Sequence, residues 1–431
     1  MGVRPPASLA RDERRAVTQS RAPGRPRSGD RLTGRVRIPR GVVVLGLVSL
    51  CMDLSSEFVH ALLPLYLATG LGASMLAIGL IEGTAEAIAL VVKVFSGVLS
   101  DAVQRRKPLV LAGYGLAALT KPVFALAPTL GWVVAARFAD RVGKGIRGAP
   151  RDALIADITP PEVRGASFGL RQALDTVGAV LGPIAAVAAL AAFGGDFRMA
   201  FWLAAVPAFL AVALIVLGVD EPDRRRAEPR AKRRLALADA RRLPFAFWLV
   251  TAIAALMALA RCSEAFLVLR AADVGLPVGQ APWVMVAMTL VYTAAAYPAG
   301  AALDRGRGIA MLHGGLAALV AAHAALAWAT GAIGVFAGAA LWGLHMGLTQ
   351  GVFAAMVAEH APGDLRGSAF GVFNLAGGVA MLVASGIAGA LWDAAGARAA
   401  FALGAALALL TAVALAASQR TLARHQTREI R

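Results

Sequence analysis

Five acidic side chains, Asp53, Glu57, Glu82, Glu86 and Asp175, stand inside long apolar runs. A charge in such surroundings is costly and is functional by default, and a carboxyl there that binds and releases a proton is what proton coupling requires. The pairs Asp53/Glu57 and Glu82/Glu86 are each spaced i, i+4, so each pair shares one helix face. Counting the helical rise from the ends of the runs puts Asp53, Glu82 and Glu86 at a common middle depth. Like charges that close in a low dielectric cannot all ionise. Counter-charges stand along one stripe, Arg137, Arg141, Lys144 and Arg151, with Asp140 beside it, and Arg171 precedes Asp175 by one turn. A structural ion-pair network is the competing reading of the same residues, since an unpaired buried charge is strongly destabilising.

The second half of the chain is sparser: Arg261 and Glu264 at i, i+3, then Tyr292, Tyr297, His345, Gln350 and Asn374. A lone His345 beside Met346 makes a poor metal site, and Cys51 and Cys262 supply neither a disulfide framework nor a thiolate site. No metal and no cofactor is expected.

The elements that must hold these groups follow from composition. Of 431 residues, 58% are apolar and 16% charged, against about 45–50% and 25% in a soluble domain. Twelve apolar stretches are long enough for a bilayer core of about 30 Å: 41–67, 75–98, 108–127, 130–150, 166–192, 198–218, 245–270, 281–303, 309–329, 332–357, 368–391 and 398–417. The formal charge of +17 would suit a nucleic-acid binder, but the basic residues are sorted by segment. Residues 1–40 hold eleven arginines against three acids, and most of the remaining excess sits in 219–244 and 418–431. Basic residues also mark the loops after the even-numbered stretches, which puts both termini in the cytoplasm and requires no nucleic-acid partner. The expected layout is a disordered basic tail (1–40), a six-helix bundle (41–218), a cytoplasmic linker (219–244), a second six-helix bundle (245–417) and a cytoplasmic tail (418–431).

The halves repeat each other. Ser56-Glu57 matches Ser263-Glu264, Gly97-x-x-x-Asp101 matches Gly300-x-x-x-Asp304, Arg164-Gly165 matches Arg366-Gly367, and Arg198-x-x-Phe201 matches Arg398-x-x-Phe401. Arg171 and Asp175 become Phe373 and Gly377, so the fold does not need charge at both equivalent places. Six spans per half is an even number, so the halves insert in the same orientation, the arrangement in which one bundle rocks against the other.

The run from Gly97 to Lys107, Gly-Val-Leu-Ser-Asp-Ala-Val-Gln-Arg-Arg-Lys, resembles the signature loop of the major facilitator superfamily, departing from it at Gln104. The resemblance implies an all-α polytopic membrane protein of twelve helices in two bundles that works by alternating access. It also implies a cytoplasmic gate at Gly97, Asp101, Arg105 and Arg106, with a degenerate copy at Asp304 and Arg307. Gly178, Gly182 and Pro183 look like the core of an exporter motif, two glycines on one face allowing close helix approach. If the superfamily pattern holds, the first, fourth, seventh and tenth spans line the cavity. That makes Glu57, Arg137, Arg141, Glu264 and His345 pocket candidates, with Arg171, Arg261, Gln350 and Asn374 beside them. The branch resembled, with Ser55-Ser56-Glu57 and the run Asp140 to Asp152, consists mostly of orphan transporters and includes some siderophore exporters.

The expected function is proton-coupled efflux of a small organic molecule across a bacterial inner membrane by a monomer. Import of a small solute, or a transport-inactive sensor or scaffold, are the alternatives. No Gly-x-x-x-x-Gly-Lys-[Ser/Thr] loop supports a primary pump, and no catalytic spacing supports an enzyme.

Overall fold

A computed structural model of the chain describes residues 38–103, 105–221, 242–362 and 365–429, and of residues 101, 102 and 420–429 the backbone alone. The expected tail up to residue 37 and most of the linker lie outside the described residues. The rest is helical. In chain order the elements are α1 (Arg40–Leu65, followed by a π turn at Tyr66–Gly70), α2 (Met75–Ala102), α3 (Lys107–Leu126), α4 (Leu130–Ile158), α5 (Arg164–Ala192) and α6 (Phe197–Gly218). Then come α7 (Phe245–Ala260), α8 (Ala265–Asp273), α9 (Trp283–Asp304), α10 (Gly308–Ala327), α11 (Ala332–His360) and α12 (Arg366–Glu429).

Long apolar runs fold this way because a helix satisfies every backbone N–H and C=O within the segment, which a bilayer demands. Ten helical stretches among the described residues are long and apolar enough to cross a membrane. α4, at 29 residues, is long enough but too charged to be among them. The last stretch, Arg366–Gln419, has 54 residues, and α12 is broken inside it at Gly396, whose φ of 82° favours glycine. Counting α4 and dividing α12 at Gly396 brings the total to the expected twelve.

Two expectations about span limits are corrected. α4 continues two turns past residue 150, so Arg151 and Asp152 are helical rather than in a loop. The stretch 245–270 is two helices, not one. α7 stops at Ala260 and α8 starts at Ala265. The break is tolerated because neighbours satisfy the freed backbone: His323 Nε2 lies 2.9 Å from the Ala260 carbonyl, and the Ser263 N–H donates to Ser385 Oγ at 3.1 Å.

Packing repeats across the chain. α1 packs on α5 and α6, α2 on α4, and α3 on α4 and α6; correspondingly α9 and α10 pack on α11, and α7 and α10 on α12. Between the two sets the contacts are unequal: α2 lies along α12 over several turns, whereas α5 meets α9 over far less of its length. The α2–α12 seam is backbone against backbone. A Cβ at Gly79 would fall 2.1 Å from the Ser385 carbonyl oxygen, at Gly83 2.8 Å from Leu382 Cα, and at Gly389 2.2 Å from the Met75 carbonyl oxygen. At its end the Asp393 carboxylate accepts from the Met75 and Leu76 N–H groups at 3.0 and 2.8 Å, capping α2 from the other half of the chain. Ser74 adds the ordinary N-cap, accepting from the Ala77 N–H.

Candidate functional site

The charged groups singled out in the sequence gather where α1, α2, α4 and α5 meet. Glu82 on α2 pairs with Arg137 on α4, and both side chains are almost wholly buried. One turn on, Glu86 meets Arg141 at 3.2 Å. The two pairs share a ladder because α2 and α4 run side by side. Glu57 accepts from His60 at 3.2 Å, and His60 also approaches Glu82 at 3.8 Å. Asp53 lies 3.5 Å from Arg147, whose guanidinium sits 4.8 Å over the Tyr114 ring. Asp175 lies between Arg171 at 3.4 Å and Arg151 at 3.8 Å. Asp53 on α1 and Asp175 on α5 belong to two helices in close contact, a Cβ at Gly178 falling on Leu50 and one at Gly182 on Leu54 and Glu57.

The spacing of small residues makes these approaches possible. A Cβ at Gly178 would lie 2.4 Å from the Leu50 carbonyl oxygen, and one at Gly182 2.8 Å from the Leu54 carbonyl oxygen. The two glycines therefore let α5 lie directly on α1, as their spacing suggested, and Pro183 is accommodated inside α5 without ending it.

Sequence reading missed three members of this group. Lys121 on α3 is fully buried and donates to Asp140 at 2.7 Å. Arg147 belongs to a quoted motif but was given no role. Lys93 on α2 is exposed, on the face it shares with Glu86 seven residues earlier. The available signal for Lys93 and Lys121 was the one used for the acids, a charge inside an apolar run.

Pocket candidates are scattered more widely than the resemblance implied. Arg137 is buried against Glu82, so its guanidinium faces no cavity. His345 is fully buried, its Nδ1 2.9 Å from the Gly315 carbonyl oxygen. Among the described residues no cluster of metal-binding side chains occurs. Arg261 and Glu264 sit at the α7/α8 break and pair at 2.8 Å. Arg261 and Gln350 line an apolar cavity of about 160 Å³ together with Met257, Phe353, Phe373 and Gly377. Gln350 accepts from the Tyr292 hydroxyl at 2.9 Å, while Tyr297 is exposed and Asn374 is half-buried. The cavity wall thus includes Phe373 and Gly377, the counterparts of the charged Arg171 and Asp175. One half presents ions and the other presents hydrocarbon.

At the signature loop, the side chain of Asp101 and residue 104 lie outside the described residues. Arg105 is exposed, and Arg106 is the buried member. Its guanidinium meets Asp157 at 2.6 Å and reaches the Ser100 carbonyl oxygen. The Glu221 carboxylate accepts from the Arg106 N–H and, at 3.0 Å, from the Lys107 N–H, closing the start of α3. A Cβ at Gly97 would make only an ordinary 3.7 Å contact with Ala149. Asp304 and Arg307 in the second copy are exposed, with no ion-pair partner among the described residues.

Between the halves, the end that carries the Asp393 cap is shut by the glycine seam. Elsewhere the halves meet only over the shorter α5–α9 contact, and a Cβ at Gly148 on α4, Gly169 on α5, Gly300 on α9 or Gly377 on α12 would have no neighbour within 4 Å.

The sequence profile of the Major Facilitator Superfamily matches residues 45–269 and 264–430. An uncharacterised MFS-type transporter of Methanocaldococcus jannaschii is 30% identical over 363 residues, 82% of this chain and 89% of the relative. An uncharacterised protein of Mycobacterium tuberculosis is 30% identical over 367 residues, 82% of this chain and 87% of that protein. Among solved structures, a bacterial homologue of the human lysosomal transporter Spinster, inward-facing and unoccupied, superposes with a TM-score of 0.69 at 14% identity, over 89% of this chain and 97% of that one.

Proposed function

Because the chain belongs to the major facilitator superfamily, and is therefore a membrane transporter rather than an enzyme, we propose that it exports a small organic molecule in exchange for protons by alternating access. We place a cleft between the halves on the α5–α9 side, and the observation that carries proton coupling is that Asp53 on α1 and Asp175 on α5, two helices that lie directly on each other, each stand beside an arginine. In this reading the two carboxyl groups share one proton, in the manner of paired aspartates. Arg147 and Arg151 stand on the two sides of the pair and compete for the carboxylates once the proton leaves. Such a proton-dependent change of partners is what a switching element needs, since its contacts must differ between the two states.

Glu82 and Glu86 play a different part in this reading. Their arginine partners hold α2 to α4, so these pairs brace the wall while Asp53 and Asp175 exchange the proton. Export is supported by Gly178, Gly182 and Pro183, which seat α5 on α1 as in the exporter motif they resemble. The two moving bodies are 41–218 and 245–417, joined by 219–244, and the basic loops put both termini and the open end of the cleft in the cytoplasm of a bacterial inner membrane. The protein works as a monomer, each copy with its own cleft.

Solute exchange identifies the substrate and tests the coupling together. Extracts of cells with and without the protein are compared for depleted metabolites. The depleted compound is then loaded into proteoliposomes under an imposed pH gradient. Efflux accelerated by an acidic exterior, and uncoupled from the gradient in Asp53→Asn and Asp175→Asn, is the expected result. Efflux indifferent to the gradient, with both variants behaving as the parent, would sink proton coupling at this pair.

A further inference from the structure

We infer that the cleft binds a small organic dianion between Lys93 and Lys144, with its apolar body toward the cavity lined by Arg261. The inference rests on the transport reading and names the substrate class.

The charges inside the helices do not cancel. Each acid already described has its own base: Asp53 with Arg147, Glu57 with His60, which balances it when protonated, Glu82 with Arg137, Glu86 with Arg141, Asp140 with Lys121, Asp152 with Arg151, and Asp175 with Arg171. In the second half Glu264 has Arg261. When these pairs are made, Lys93 and Lys144 remain. Both are exposed, and neither has a carboxylate within 4.0 Å among the described residues. Asp53, Glu57 and Glu86 act on Lys144 only at longer range, each engaged by a nearer base.

The two lysines share one place. A Cβ at Gly145 would meet Val92 at 2.6 Å, so Lys144 and Lys93, each next to one of these residues, flank a single α2–α4 contact. Lys93 is two turns beyond Glu86 on its face, and Lys144 is two turns beyond Arg137 on its stripe. Gly148, one turn further along that stripe, borders open space. The exposure of both lysines beside the α2–α4 contact is the ground for placing their ammonium groups at the edge of the cleft.

Unused donors around the cleft point the same way. Outside the buried Glu82–Arg137 pair, buried guanidinium nitrogens without a hydrogen bond occur on Arg141, Arg147, Arg171 and Arg261, and no such carboxylate oxygen occurs among the described residues. The surroundings are short of acceptors. Water can solvate two lysines while the cleft is open, but alternating access has to occlude them, and occluding two uncompensated ammonium groups is costly. A dianion removes that cost, so closure is favoured when the anion is bound. Across the cleft, Met257, Phe353 and Phe373 offer hydrocarbon and Arg261 a further cation, a match for an aromatic or branched body.

Thermal unfolding of the full-length purified protein in detergent is measured with phthalate, succinate, benzylammonium and, at equal ionic strength, sodium chloride, because a ligand of the folded state raises the midpoint. Phthalate is expected to raise it by several degrees above chloride, succinate by less, and benzylammonium not at all. The phthalate shift should vanish in Lys93→Gln/Lys144→Gln and persist in Lys93→Arg/Lys144→Arg, with the unliganded midpoints little changed because both side chains are exposed. No shift beyond chloride with either dicarboxylate, or a shift that survives in the glutamine variant, overturns the site. The two proposals fail separately. A protein that binds phthalate through the lysines but moves no solute refutes the transport reading alone. One that exports a cation, unaffected by Lys93→Gln/Lys144→Gln, refutes the dianion site alone.

Discussion

At the scale of single residues, the main distinction is between charges that brace and charges that face the cleft. Glu82 and Arg137 are both buried, and removing one partner of such a pair leaves the other uncompensated. Glu82→Leu is expected to cost about 3–5 kcal/mol, read as a fall in the thermal midpoint, and Glu82→Leu/Arg137→Met to recover most of it. If the single variant is as stable as the parent, the pair is not a brace. His323 makes a second case. It spans the gap between α10 and the Ala260 carbonyl at 2.9 Å, with its ring held against Trp342 and Phe401. His323→Phe keeps the packing and removes the donor, so a loss of about 1–3 kcal/mol is expected; an unchanged midpoint would mean the break is satisfied by other means. The acids of the cleft were legible because a charge in an apolar run stands out. Their partners were not, because the partner is set by helix azimuth: Glu82 finds Arg137 and Glu86 finds Arg141 across 55 residues. Lys93 and Lys121 were overlooked under the rule that found the acids.

At the scale of elements, composition located the helices but not their interruptions. The stop at Ala260 has no local sign, since Ala258-Leu259-Ala260-Arg261-Cys262 holds neither glycine nor proline, and the break depends on His323 and Ser385 from α10 and α12. Conversely, the charges after residue 150 suggested a loop, although in α4 they lie on helix faces that turn toward other charges. Glycine spacing was more informative, and the structure separates glycines that carry a contact from those that do not. Gly178→Val has to displace α1, whose Leu50 carbonyl oxygen would lie 2.4 Å from the new Cβ. A loss of about 1–3 kcal/mol is expected from such overpacking. Gly169→Ala meets nothing within 4 Å and should instead stabilise α5 by about 0.5–1 kcal/mol. Thermal midpoints of the two variants moving in the same direction would contradict this assignment.

At the scale of the whole molecule, the repeat in the sequence revealed the two-part architecture but not the inequality of the α2–α12 and α5–α9 contacts. They differ because the glycines that bring backbones together lie at the first and not at the second. Asp393 adds hydrogen bonds across that seam to Met75 and Leu76. Hydrogen bonds to a charged group contribute about 1.5–3 kcal/mol, and about 1.4 kcal/mol is a tenfold change in an equilibrium. Asp393→Ala should therefore open this end at least about tenfold more often. A cysteine at position 385, in a background with Cys51 and Cys262 replaced by serine, would report it as faster labelling by a membrane-impermeant maleimide. Asp393→Asn should give a smaller increase, and labelling as slow as in the parent would show that the glycines alone keep the seam shut. A closure made of main chain also has a bearing on how such a transporter changes over generations. The groups that meet the solute are side chains on the walls of the cleft, while the groups that shut it are mostly backbone atoms and glycines. Substitutions can therefore retune what is carried without disturbing the machinery that seals it, and the inheritance of one is largely independent of the other.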